Sequence, residues 1–119
     1  MPRRVLPAVL AVLAALVFVL PGGARPQQSV LSGVVGPGYS IRLTDGSGQP
    51  VTHLDPGTYT INVDDRANVH NFHLVGKGVN AATGIAFTGK KTWSVKLAKG
   101  TYAYRSDATA RLKGTFAVG

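Results

Sequence analysis

The chain has 119 residues, of which 45% are hydrophobic and 15% charged, with 15 glycines, 7 prolines, no cysteine and a formal net charge of +8. The lack of cysteine excludes a disulfide framework and every site that needs a thiolate, so packing and sheet hydrogen bonds must hold the fold. The length excludes two separate cores, and without a recognisable nucleic-acid-binding motif no nucleic-acid partner is expected for the basic charge.

In chain order, Arg3 and Arg4 precede an uncharged apolar run from Val5 to Leu20, which ends in the break Pro21-Gly22-Gly23-Ala24. This is the layout of a secretory signal, residues 1–24, and the run is shorter than the roughly 20 apolar residues of a bilayer span. Cleavage near Ala24 and a secreted or envelope location are expected, with membrane attachment only if the signal is retained. Residues 25–29 read as a flexible leader. Residues 30–119 suffice for one domain with one modest core, expected to be monomeric.

From Val30 onward, apolar residues alternate or come in short runs, broken about every eight to twelve residues by glycine, proline or aspartate, the spacing of short strands and turns. Strands are predicted at Val30–Val35, Tyr39–Leu43, Thr58–Val63, Asn71–Val75, Thr92–Leu97, Tyr102–Ser106 and Gly114–Val118. Turns fall at Pro37-Gly38, Asp45-Gly46-Ser47-Gly48, Asp55-Pro56-Gly57 and Lys99-Gly100. Period-two alternation puts Tyr59, Ile61 and Val63 on one face; Trp93, Val95 and Leu97, then Tyr102 and Tyr104, then Phe116 and Val118, behave alike. Two sheets pressed together would bury these faces. No later segment has helical apolar spacing. The glycine-rich stretch 76–89 reads as a long crossing loop with Val79, Ile85 and Phe87 turned inward.

Charge is uneven along the chain. Arg25 to Gly76 holds three bases and four acids, whereas Lys77 to the end holds eight bases and one acid, Asp107. Outside the membrane such a basic second half suits an anionic envelope component or an acidic protein, although lysines also serve as solvated strand faces and sheet-edge protection.

Several motifs, in order, carry a family likeness: P-G-Y-S-I-R-L at 37–43, L-D-P-G-T-Y-T-I-N-V at 54–63, V-H-N-F-H-L at 69–74, G-K-G-V-N at 76–80, T-W-S-V-K-L at 92–97, K-G-T-Y-A-Y at 99–104 and L-K-G-T-F at 112–116. Together they resemble the cupredoxins, specifically the small exported bacterial plastocyanin-like domains. The resemblance implies an all-β, Greek-key β-sandwich of seven to eight strands over residues 30–119. It also implies a copper bound at one end by two histidines, a cysteine and an axial methionine, a set in which the soft thiolate defines the blue-copper bond.

The match to that ligand set fails at three of four positions. His70 stands at the first histidine, but Ser106 replaces the cysteine, Thr109 the second histidine and Leu112 the methionine, in a slightly shorter loop; Ala108 also replaces a proline. A serine hydroxyl is no thiolate, and one imidazole does not make a site by ligand identity and count. His73 lies on the same strand as His70 at odd spacing and should face the other way, and His53 lies in a turn region with no visible partner. Hence no metal, cofactor or catalytic residue is expected, and copper belongs only to an alternative reading in which an unusual residual site binds copper or transfers electrons.

Serine and leucine are close in shape or volume to the residues they replace. Ser106 and His70 are therefore expected to meet, and Leu112 to fill apolar space. A Ser106-His70-Asp107 triad is set aside because Asp107 follows the serine directly and should point away from it. Trp93, Tyr102, Tyr104 and Phe116 could make a sugar-stacking platform but read as core. The sequence thus points to an exported, non-enzymatic interaction or structural module at the cell envelope.

Overall fold

A computed structural model describes residues 29–119, so the signal segment and the leader up to Gln28 lie outside the described residues. It contains nine strands: β1 (Val30–Val35), β2 (Ile41–Thr44), β3 (His53–Leu54), β4 (Gly57–Asp65), β5 (His73–Gly76), β6 (Val79–Ala82), β7 (Gly89–Leu97), β8 (Gly100–Ser106) and β9 (Thr109–Val118). They form a four-stranded sheet in the order β2-β1-β4-β7 and a five-stranded sheet in the order β3-β9-β8-β5-β6. The β1–β4 and β3–β9 pairs are parallel and the others antiparallel. The two sheets face each other as a Greek-key sandwich, as the sequence motifs imply.

Period-two alternation decides which side of each strand is buried. On β4 the inward residues Tyr59, Ile61 and Val63 are almost fully buried, and across the sandwich Phe72, Leu74, Tyr102, Phe116 and Val118 close against the same core. Each such side chain contributes roughly 1.5–3 kcal/mol by leaving water, the main term available to a chain without cross-links. Phe72 stacks on Tyr104 at 5.8 Å and Tyr102 on Phe116 at 5.4 Å. The aromatics in question are core, as expected; Trp93 packs partly buried against them.

Glycine is what lets one of these rings lie flat. Gly114 pairs directly with Tyr104, and a Cβ at residue 114 would sit 2.3 Å from the phenol oxygen. No side chain fits there without displacing the ring.

The structure corrects three details of the sequence reading. Two strands lie where no strand is predicted: β3, two residues held by β9, and β6, inside the stretch expected to be a crossing loop. In that stretch Val79 is buried and Phe87 half-buried, but Ile85 is 43% exposed and does not turn inward. Finally, β9 begins at Thr109 rather than Gly114. Ser106 pairs with Thr109 and Arg105 with Lys113, so residues 110–112 bulge out of the ladder; an irregularity of this kind redirects side chains near a sheet end.

Candidate functional site

Among the described residues the buried polar side chains, Asp65, His70, Asn71, Thr83 and Ser106, gather at the end of the sandwich where β4 stops and the β8–β9 turn begins. Asp65, the last residue of β4, is 1% exposed. Its Oδ1 accepts the Ala67 N–H at 3.1 Å, which turns the chain, and its Oδ2 accepts the Thr83 hydroxyl at 2.8 Å. The same hydroxyl oxygen accepts the Phe72 N–H at 2.9 Å, and the Thr83 N–H donates to the Phe72 carbonyl at 3.0 Å. Segment 66–72 is thereby fixed at both ends, and His70 and Asn71 are carried into the interior.

His70 is 4% exposed, and its Nδ1 lies 3.1 Å from Ser106 Oγ. That oxygen also accepts the Ala108 N–H at 3.2 Å. The serine oxygen thus bridges the imidazole of the 66–72 segment and the backbone of the β8–β9 turn. Tyr39, 70% exposed, meets the imidazole edge-on at 5.0 Å and covers it from outside. Thr109, half-buried, stands opposite Ser106 in the ladder, and Leu112 is buried in the hydrophobic core. The structure thus brings His70, Ser106 and Thr109 to one place and gives Leu112 an apolar role.

Asn71, 2% exposed, connects this cluster to the turn. Its Oδ1 accepts the Asp107 N–H at 2.7 Å, and its Nδ2 donates to the Thr83 carbonyl and to Asp107 Oδ2, each at 3.0 Å. The Asp107 carboxylate points away from His70, toward His73 Nδ1 at 2.8 Å and Arg105 Nε at 3.3 Å. The His73 hydrogen bond holds the Asp107 carboxyl below the usual carboxylate range, against a smaller opposing effect of burial and with further help from Asn71, the His73 charge and Arg105. His73 Nε2 meets Asn80 Oδ1 at 2.6 Å.

Asp107 therefore orients His73 and not His70, so the Ser106-His70-Asp107 triad does not form. His70 and His73 do not share a strand, since β5 begins at His73 and His70 lies in the segment before it, but they engage different partners, Ser106 and Asp107. His53, expected to lack a partner, instead contacts the Gly119 backbone oxygen where β3 joins β9. Among the described residues no three histidine, cysteine, aspartate or glutamate side chains come together as a metal group. The copper implied by the resemblance does not fit this donor set: one imidazole already engaged by a serine, a threonine hydroxyl and a hydrocarbon side chain. Sequence reasoning missed the Asp65-Thr83 and Asn71-Asp107-His73-Asn80 connections. Only the adjacency of His70 and Asn71 and the position of Asp107 after Ser106 hinted at them.

No family model matches the sequence, and no curated protein matches it. Solved structures do. Reduced rusticyanin is 18% identical with a TM-score of 0.57, over 81% of this chain and 82% of that one. Rusticyanin from Thiobacillus ferrooxidans is 17% identical with a TM-score of 0.57, over 76% of each chain. A methionine-to-leucine variant of rusticyanin is 18% identical with a TM-score of 0.57, over 81% of this chain and 79% of that one. Rusticyanin is a copper protein, and at this identity the likeness establishes architecture alone: the chain has the cupredoxin fold.

Proposed function

We propose that this protein is an exported cupredoxin-fold domain without a copper site, a non-enzymatic module that acts at the cell envelope by binding anionic material through its surface. The observation that carries the reading is the hydrogen bond between His70 and Ser106. The imidazole at the first ligand position is committed to a serine, in a chain that has no cysteine to supply a thiolate. Fold alone brings no function with it, so the activity is sought on the surface, where basic residues outnumber acidic ones.

Copper titration tests this reading directly. Calorimetry and visible spectroscopy of the purified chain with Cu(II), and with Cu(I) under reducing conditions, should give no tight stoichiometric binding and no intense visible band. A tight site of one copper per chain, coloured or colourless, overturns it.

A further inference from the structure

Four strands lie at the edges of the two sheets, and three of them are short: β2 and β6 have four residues each and β3 has two. The fourth, β7, runs for nine residues in unbroken register with β4 and contains neither proline nor a bulge. Its far side has no strand neighbour among the described residues. Short length, proline and bulges are common means of closing a sheet edge, and β7 uses none of them.

The next strand shows which way the backbone groups of β7 point. The Thr60 N–H donates to the Ser29 carbonyl at 2.8 Å, so Thr60 turns its backbone toward the β1 side and away from its cross-strand partner Ser94. Asn62 has the same parity. Its Oδ1 accepts the Thr92 hydroxyl at 3.0 Å, the close side-chain approach of a cross-strand pair without direct backbone bonds. Trp93 and Val95 therefore bond to β4, whereas Lys90, Thr92, Ser94 and Lys96 turn their N–H and C=O groups to the open edge. No other part of the chain among the described residues bonds to them there. The edge thus offers one donor and one acceptor on each of these four residues, repeating about every 6.8 Å along the strand.

An extended peptide carries the complementary groups at the same two-residue repeat, which neither a sugar chain nor a lipid surface does. Charge then selects among peptides. Lys90 and Lys96 flank the edge on the outer side of the sheet, and Lys91, opposite the inward Val63, flanks it on the inner side, over the Phe87 ring at 5.1 Å. Lys90 stands across from Asp64, but Arg66 holds that carboxylate at 2.8 Å, and no lysine of β7 has a salt bridge among the described residues. A second copy of β7 would set three lysines against three, and like charges across a strand pair repel. Between the lysines the inner positions are Trp93 and Val95, both half-buried against the core, and the outer ones Thr92 and Ser94. We infer that the β7 edge takes up an extended segment of an acidic protein as an added antiparallel strand, with acidic side chains beside Lys90, Lys91 and Lys96 and apolar ones beside Trp93 and Val95. Lysine on an edge turns away like and neutral strands; here it also admits the complementary one. The inference rests on the reading of the domain as a binder of anionic material, and it names the class of partner and the place.

The test is calorimetric titration of the purified full chain with the end-blocked peptide E-V-T-V-T-E-E, whose residues in antiparallel order face Lys96 to Lys90. Polyglutamate serves as a probe of charge alone. The peptide should bind more tightly than polyglutamate and more weakly as salt rises, and hydrogen exchange should show new protection at the Lys90, Thr92, Ser94 and Lys96 amides. Lys90→Gln with Lys96→Gln should weaken binding by about tenfold or more, as expected for the loss of charge-assisted contacts. Arg105→Gln with Lys113→Gln, paired on the other sheet, is an equal charge change and should leave binding within about twofold. Ser94→Pro removes an edge-facing N–H and no bond to β4, and should weaken binding by about tenfold, the cost of leaving the peptide acceptor unpaired. N-methylation of the two peptide threonines, whose N–H groups would face β7, should abolish binding; N-methylation of the two valines should leave it within about threefold. Polyglutamate bound as tightly as the peptide, equal effects of the two methylations, or protection elsewhere than on β7 would overturn strand addition while leaving the anion-binding reading intact. Failure of wild type to bind either probe would overturn both. Melting curves matched to wild type exclude loss of fold in the variants, and the methylated peptides test the same bonds on the unaltered protein.

Discussion

His70 Nδ1 and Ser106 Oγ lie 3.1 Å apart, both buried, joining residues 36 positions apart in sequence. The contact occupies both polar atoms at the point where the cupredoxin resemblance places two copper ligands. Ser106→Ala should therefore leave the imidazole Nδ1 and the Ala108 N–H without their partner. A buried group deprived of its partner costs about 1–3 kcal/mol, so urea denaturation should show a loss in that range with an unchanged slope. Ser106→Cys keeps the shape and a weak donor and should cost less than Ser106→Ala. A silent Ser106→Ala would mean that the hydrogen bond adds nothing net to stability.

Asn71 fixes more of the site end than its position beside His70 suggests. With its three bonds to the Asp107 N–H, the Asp107 carboxylate and the Thr83 carbonyl, it ties the 66–72 segment to the β8–β9 turn. Asn71→Ala removes all three at a buried position, and an equilibrium loss on the order of 3 kcal/mol is expected. Amide hydrogen exchange should localise the damage: protection should fall at Asp107 and Ala108 while β1 and β4 keep theirs. Uniform loss across the sandwich would contradict a local role.

The strands that border the core are legible in the sequence because their alternation records which face meets the other sheet; β1 is read at its full extent, Val30–Val35. β3 is not legible, since His53 and Leu54 become a strand only by parallel pairing with Ala117 and Val118, a contact made at long sequence separation. β6 hides among glycines and small residues, where its pairing with β5 and not its own propensity makes it a strand. At the site end, the meeting of Ser106 with His70 follows from the motif order. The Asp65-Thr83 connection carries no local signal, because an aspartate at a strand end and a threonine in a glycine-rich stretch look the same whether buried or solvated.

The register across the β8–β9 turn bears on whether the scaffold still holds a copper geometry. Ser106 stands opposite Thr109, with Leu112 buried just beyond. Ser106→Cys, Thr109→His and Leu112→Met together restore the ligand types of a blue site around the existing His70. The triple variant should bind one Cu(II) and show an intense visible thiolate-to-copper band, absent from wild type. A variant that folds with wild-type circular dichroism yet stays colourless would show that Thr109 or Leu112 does not stand at the corresponding position.

Asp107 makes the site end sensitive to acid. Its carboxyl, held below the ordinary range chiefly by the hydrogen bond from His73, binds a proton more weakly in the folded chain than in the unfolded one. A group with a depressed folded pKa stabilises the fold above its unfolded value, near 3.9, and loses that contribution as pH falls through the lower folded value. Because the carboxylate is partly exposed and its partners are screened by solvent, the effect should be modest. Asp107→Asn should lower the melting temperature at neutral pH, and the gap to wild type should narrow as pH falls below about 4 and through the lower folded value, where the folded wild-type carboxyl takes up its proton. A gap that stays constant from neutral to acid pH would assign the loss to the Asn71 and backbone contacts of residue 107 rather than to its charge.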